Sequence, residues 1–142
     1  MTSLDGDCKN IEDLQEGDLV VSYNIESGKK ELKAVTLCAS HIVEAVYHIK
    51  FDDGTKIDVS GGHPLYSKRG WVINDFNDTD GDYLAMGLTK MEIGDEFETF
   101  EGRTVKVESI ECEADLTIPL YDIAVEGLHN YFANSIIAHN AS

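Results

Sequence analysis

The chain has 142 residues, 42% of them apolar, which is enough for the core of one domain and excludes collagen-like or linker-like sequences. Its formal net charge is −16, which argues against a nucleic-acid partner because phosphate backbones bind Lys and Arg. No apolar stretch approaches the roughly 20 residues that span a bilayer, and the N-terminus MTSLDGDCKN does not resemble a signal peptide. We therefore expect no membrane partner and a reducing, cytoplasmic location.

β-Strands are predicted along most of the chain, because its segments alternate apolar and polar residues or are rich in β-branched ones. In chain order, the predicted strands are 19–25, 31–45, 45–51, 55–60, a short one ending at 67, 71–73, 96–102, 103–111, 119–126 and 131–139. The Asp-Gly pair within 52–55 predicts a hairpin turn. Only 9–15 and 81–94 look weakly helical. The pattern predicts an all-β domain of sandwich or barrel type without a second domain.

No metal or organic cofactor is expected. The cysteines Cys8, Cys38 and Cys112 are widely spaced and form no C-x-x-C pair, so a zinc site is unsupported, and Cys38 is interpreted as a small core residue. The acidic segment 74–83 resembles a calcium loop only superficially, because Phe76 would occupy its first ligand position. We interpret it as a solvated loop.

Three segments contain residues suited to acyl chemistry. In SGGHPLY, Ser60 precedes His63 by three residues across a Gly-Gly turn, whose freedom to adopt positive φ could aim both side chains at one peptide bond. The segment LYDIAVEGLHNYFAN holds Asp122 and His129, and the chain then reaches His139 and Asn140. An Asn can attack its own backbone carbonyl, and a carboxylate or imidazole can transfer protons. Taken singly, each segment is more often structural.

Taken in order, the three segments resemble the intein family, and more broadly the Hint superfamily that also contains the Hedgehog autoprocessing domains. NIEDLQEGDLVVSYN resembles part of the first intein motif, SGGHPLY the second, and LYDIAVEGLHNYFANSIIAHN the two C-terminal motifs. The resemblance implies a horseshoe-like all-β fold without an endonuclease insert, and self-catalysed protein splicing.

The same resemblance implies roles for six residues. Ser60 and His63 would activate the N-terminal junction, and Asp122 would assist the step that joins the two branches. His129 and His139 would assist cyclisation of Asn140, which cleaves the C-terminal junction. The domain would cover residues 1–140, with 141–142 as remnants of the flanking sequence.

Two departures from the intein pattern shape the functional hypothesis. The Asp-Gly of positions 5–6 comes where inteins have already passed their first strand and nucleophile, and neither Ser3 nor Cys8 is well spaced to replace that nucleophile. We therefore predict the larger, C-terminal piece of a split intein, completed by a short N-terminal fragment that is basic enough to be attracted to a body of charge −16.

The second departure is Ala141, which stands where inteins carry the Cys, Ser or Thr that receives the acyl group. Ala141 leaves two interpretations. Either this position was engineered to arrest the reaction, or the chain is a bacterial intein-like or Hedgehog-like domain that cleaves without ligating. Ser135, where inteins often have Gly, is a smaller departure. A non-catalytic β-rich binding module is the remaining alternative, and it would make the order of the motifs accidental.

Overall fold

The computed structural model describes residues 14–76 and 87–139, and within these ranges twelve β-strands form three sheets and no α-helix is present. The all-β prediction is therefore confirmed. The prediction of a weak helix over 81–94 was wrong for its described part, since 87–94 contains a short strand. The weak helix predicted over 9–15 lies largely outside the described residues. No helix in the described part of the chain is long and apolar enough to cross a membrane.

The first sheet is built on one long strand. Strand β2 (Lys29–Val43) pairs antiparallel with β1 (Leu19–Asn24) through its first half and with β10 (Ile118–Val125) through its second half. The two sheet partners come from opposite ends of the described chain, so β2 ties them together. Cys38 lies on this strand and is exposed, with its thiol donating to the Leu14 carbonyl, so its expected core position was wrong.

The second sheet has the strand order β11-β12-β5-β6-β7. Its strands are β5 (Leu65–Ser67), β6 (Gly70–Ile73), β7 (Thr89–Lys90), β11 (Asn130–Ala133) and β12 (Ile136–His139). The single strand predicted over 131–139 is instead a hairpin, because Asn134 and Ser135 take φ of 48° and 69°. Two consecutive positive φ values are typical of a two-residue hairpin turn, which reverses the chain between β11 and β12.

The third sheet has the order β4-β3-β9-β8 and is antiparallel throughout. Its strands are β3 (Val46–Phe51), β4 (Lys56–Val59), β8 (Glu96–Glu98) and β9 (Thr104–Glu113). The predicted Asp-Gly turn joins β3 to β4, with Gly54 at a φ of 91°. Its inward side chains, including the edge-to-face pair Phe51 and Phe97, contribute to the main core. Strand β4 ends one residue before Ser60, so this sheet leads directly into the candidate site.

A second, smaller apolar cluster lies beside the main core. It consists of buried Val21, Phe132 and Ile137, against which partly buried aromatic side chains pack. Because successive residues of a strand point to opposite faces, Phe132 enters this cluster while its neighbour Tyr131 enters the main core. The hairpin β11–β12 therefore separates two apolar environments.

One residue fastens β1 to β11. The Asn130 side chain, 1% exposed, accepts a hydrogen bond from the Tyr23 backbone N–H (2.8 Å) and donates to the Tyr23 carbonyl (2.9 Å) and to the Leu128 carbonyl (3.3 Å). Ser22 Oγ donates to the Asn130 carbonyl at 2.7 Å. A side-chain amide offers the same donor and acceptor as a peptide group, so Asn130 replaces a strand pairing between the first and second sheets.

Two ionic arrangements hold strands in place. His48 on β3 lies between Asp58 of β4 (2.7 Å) and Glu113 of β9 (2.9 Å), and hydrogen bonds to these carboxylates raise the pKa of His48. Burial of Asp95 opposes its ionisation, but hydrogen bonds from Arg69 (2.8 Å to each oxygen) and from a backbone N–H outweigh burial and lower its pKa. The first arrangement crosses the third sheet, and the second ties the β5–β6 turn to the segment before β8.

Candidate active site

A cavity of about 370 Å³ lies where β4, β10, β11 and β12 approach one another. Three of the residues proposed from the sequence, Ser60, His63 and Asp122, line it together. The other lining residues are His41, Ile57, Asp58, Val59, Leu120, Tyr121, Tyr131, Ala133, Asn134 and Ala138. The sequence places Ser60 and Asp122 62 positions apart, so the sheets bring them to one place.

Asp122 is the most firmly held polar side chain of the cavity. It is 7% exposed, and its Oδ1 accepts hydrogen bonds from the Tyr131 hydroxyl (2.8 Å) and the Ile123 backbone N–H (2.9 Å). Its Oδ2 lies 3.5 Å from His63 Nδ1. The two donors fix the plane of the carboxylate, which leaves the second oxygen directed at the imidazole. In such a pair, the carboxylate can orient the imidazole and stabilise its positive charge when it is protonated.

The turn that carries Ser60 and His63 is held by backbone hydrogen bonds. His63 N–H donates to the Ser60 carbonyl (3.3 Å), and the carbonyl of Gly61 accepts from the N–H groups of Asn74 (2.9 Å) and Asp75 (2.8 Å). Gly61 and Gly62 are buried, and neither has positive φ, so the expected reason for the two glycines was wrong. The bonds to Gly61 instead show that the turn is hydrogen-bonded to the segment after β6.

His139 is the last described residue of the chain and ends β12. Its backbone N–H donates to the Pro64 carbonyl (3.1 Å), one residue after His63. Its imidazole does not line the cavity, since Ala138 points there and His139 points to the other face of the sheet. On that face the imidazole packs edge-to-face against Trp71, with ring centroids 5.3 Å apart. The end of β12 therefore lies beside the cavity, while its final side chain lies behind it.

His129 lies in the turn before β11, is exposed, and has a φ of 60°. It does not line the cavity, but it immediately precedes Asn130, the register partner of His139. Asn140, the proposed cyclising residue, falls outside the described residues. The structure thus brings together three of the six proposed residues, and it places His139 at the end of the adjoining hairpin and His129 in the turn before that hairpin.

Comparison with known proteins explains this arrangement. The family model described as "Intein splicing domain" matches residues 2–140, almost the whole chain. The chain belongs to the intein splicing-domain family. A search of curated proteins found no match.

Solved intein structures have the same fold. The bacterial intein-like domain from Clostridium thermocellum is 25% identical, with a TM-score of 0.73 over 92% of this chain and 86% of its own. The gp41-1 intein is 26% identical, with a TM-score of 0.71 over 98% and 91%. A DnaB intein from Synechocystis sp. PCC 6803, at 21% identity, shares the fold with a TM-score of 0.72 over 96% and 89%. The intein resemblance and the Hint fold are thus confirmed, and the domain is a self-processing protein-splicing domain.

Three residues of this splicing domain were not singled out from the sequence. Tyr131 holds Asp122, Asn130 fastens β1 to β11, and Trp71 packs on His139. Asn130 gave a signal that could have been used, because it is a polar residue at the start of the apolar run NYFA and must bond if buried. The contact between Trp71 and His139 spans 68 positions and has no local signal in the sequence.

Proposed function

We propose that this domain cleaves the peptide bond between Asn140 and Ala141. The side-chain amide nitrogen of Asn140 attacks its own backbone carbonyl carbon, a five-membered imide closes, and the C–N bond to Ala141 breaks. The attacking nitrogen gives up a proton and the departing Ala141 amine gains one, so no water is consumed. His139 and His129 are the proposed groups for these proton transfers.

One observation supports this proposal above the others. The backbone of His139 is hydrogen-bonded to Pro64, so the chain leaves β12 beside His63 and the cavity that holds Asp122. We propose that this exit brings the Asn140–Ala141 junction close to the acid–base groups of the domain. Holding reacting groups near one another is a large part of what such a site contributes.

At the N-terminal junction, we propose that His63 and Ser60 polarise the scissile peptide bond and favour an acyl shift from nitrogen to sulfur or oxygen. Asp122 then assists the step that joins the branches. The carboxylate lies 3.5 Å from the His63 imidazole, so it can stabilise the imidazolium that forms when His63 takes up a proton. These assignments need only side chains, without a metal or cofactor.

The nucleophile of that junction is proposed to come from a short N-terminal fragment acting in trans. Within the described residues β4 and β10 each end their sheet's strand order, and residues of both line the cavity. An extended peptide can add to such a free strand edge by backbone hydrogen bonding. The net charge of −16 would attract a basic fragment.

A second candidate is a domain that cleaves without ligating its flanks. Ala141 supports it, since a methyl side chain cannot accept an acyl group, and so does the 25% identity to a bacterial intein-like domain. In either case, we propose that Ala141 arrests branch formation and leaves Asn140 cyclisation as the remaining reaction.

Intact-mass measurement over time tests these proposals. The wild-type chain should lose Ala-Ser as a free dipeptide, leaving an imide on Asn140, whereas Asn140→Ala should remain intact. Asn24→Ala is the matched control, because it removes an amide that donates to Glu31 (2.8 Å) away from the cavity and should leave cleavage unchanged. Equal cleavage by the wild type and Asn140→Ala would exclude cyclisation at this residue.

Adding a basic synthetic N-terminal peptide separates the two candidates. Cleavage that requires the peptide favours assembly in trans, and ligation by Ala141→Cys with the peptide would establish splicing. Cleavage that proceeds equally without the peptide, together with no ligation by Ala141→Cys, would favour the cleaving domain and refute trans-splicing.

A further inference from the structure

Trp71 is the single tryptophan of the chain, and it lies on β6 in contact with two other rings. Its indole packs edge-to-face on the imidazole of His139, at 5.3 Å and 77° between planes. It also packs on the ring of Tyr66, 5.0 Å away, which is its direct partner in the antiparallel β5–β6 pair. The indole is half-buried, and these two contacts restrict it.

Strand register explains why these rings meet. In the order β12-β5-β6, Ala138 pairs with Leu65 and Leu65 pairs with Val72, and all three side chains are buried in the main core. The residues next to them point to the opposite face. There His139 and Trp71 lie across β5 from each other, and both strands that carry them are held by backbone ladders. The ring contact is therefore a consequence of rigid sheet geometry.

An imidazole at the end of a strand has two free side-chain torsions unless a neighbour restricts them. The backbone of His139 is fixed by its bond to Pro64, but a backbone bond does not set the side-chain torsions. The edge-to-face contact with the indole favours one orientation of the imidazole ring.

We propose that Trp71 is a positioning residue that sets the orientation of the His139 imidazole, with Tyr66 packed against the indole. The inference rests on the proposed role of His139 in cyclisation of Asn140. It assigns to the second sheet a function beyond carrying β12, because the sheet also holds the imidazole in one orientation.

Cleavage rates test the assignment through a double-mutant cycle. Trp71→Ala should slow loss of the Ala-Ser dipeptide by about tenfold, and Trp71→Phe, which keeps a ring, should recover most of that loss. In a His139→Ala background, Trp71→Ala should slow cleavage no further, because its effect passes through the imidazole. Tyr47→Phe, which changes an aromatic residue on β3 of the third sheet, should behave as wild type.

Fluorescence provides a readout that does not depend on cleavage. A protonated imidazole in contact with indole quenches its emission, so wild-type emission should titrate with pH, and His139→Ala should abolish the titration while His129→Ala retains it. Circular dichroism and a thermal melt of Trp71→Phe check that this variant is folded.

The outcomes separate the two levels of the proposal. If His139→Ala cleaves at the wild-type rate, the proposed role of His139 is wrong. If His139→Ala is slow but Trp71→Ala is not, or if the two losses add, only the positioning role is wrong. Emission that titrates equally in the wild type and His139→Ala would overturn the ring contact itself.

Discussion

Replacing Tyr131 with Phe should lower the free energy of unfolding by about 1–3 kcal/mol, the usual cost of leaving a buried polar group short of a partner. The Tyr131 hydroxyl is one of two donors to Asp122 Oδ1, and the two residues are 2% and 7% exposed, so water has little access to replace it. The ring itself stays in place, since Phe differs only in lacking the hydroxyl. The loss therefore reports what the Tyr131 hydroxyl contributes, including its hydrogen bond to the carboxylate.

Urea unfolding followed by the emission of the single tryptophan is the assay. Tyr23→Phe is the matched control, because it also removes one phenolic hydroxyl but lies in the other apolar cluster, and it should cost less than about 0.5 kcal/mol. In an Asp122→Asn background, the cost of Tyr131→Phe should fall to about 1 kcal/mol, the value for a neutral hydrogen bond. Equal midpoints for Tyr131→Phe and the wild type, or equal losses in Tyr131→Phe and Tyr23→Phe, would refute the reasoning.

Three further predictions concern stability. The raised pKa of His48 means that its ion pairs stabilise the fold fully below pH about 6.5 and lose their effect as pH rises through the folded-state pKa. His48→Gln should remove this pH dependence from the thermal stability. The change should be at most about 1 kcal/mol, because the pairs are exposed. The lowered pKa of Asp95 means that its contribution is present above pH about 3.9 and is lost as pH falls through the folded-state pKa. Asp95→Asn should therefore cost about 1–2 kcal/mol in urea unfolding at neutral pH, and this cost should shrink as pH falls below about 3.9. A cost that does not change with pH would contradict this. Ser135→Gly should raise the melting temperature by relieving the φ of 69°, a gain of about 0.5–1 kcal/mol, and a lower melting temperature would contradict this.

The strands were predictable where pattern and turn chemistry agree. The alternating segment of β4 and the Asp-Gly turn before it both appear as expected, because alternation and a turn signal are local properties. The hairpin at 134–135 was missed, since neither Asn134 nor Ser135 is the Gly that usually marks such a turn. Cys38 was misplaced because its half of β2 pairs with β10 but leaves the Cys38 side chain on an exposed face, and an apolar run does not reveal which face of a strand will be covered.

The candidate site was predictable as far as motif order allowed. Ser60, His63 and Asp122 meet in one cavity, as residues of motifs that act together should. The sequence carried no information on which sheet face each residue would occupy, so the position of the His139 ring behind the cavity was unexpected. That outcome depends on the register between β12 and β5, which is a long-range property of the fold.

The hydrogen bonds of Asn130 also bear on chemical selectivity. If Asn140 cuts the backbone as proposed, the other asparagines must be prevented from doing the same. The Asn130 amide nitrogen is committed to two carbonyl oxygens and its oxygen to a backbone N–H, so it cannot swing onto its own carbonyl carbon. Asn24 and Asn134 donate likewise, to Glu31 and to the Lys56 carbonyl. Bonds that fasten strands together thus also protect those positions from self-cleavage.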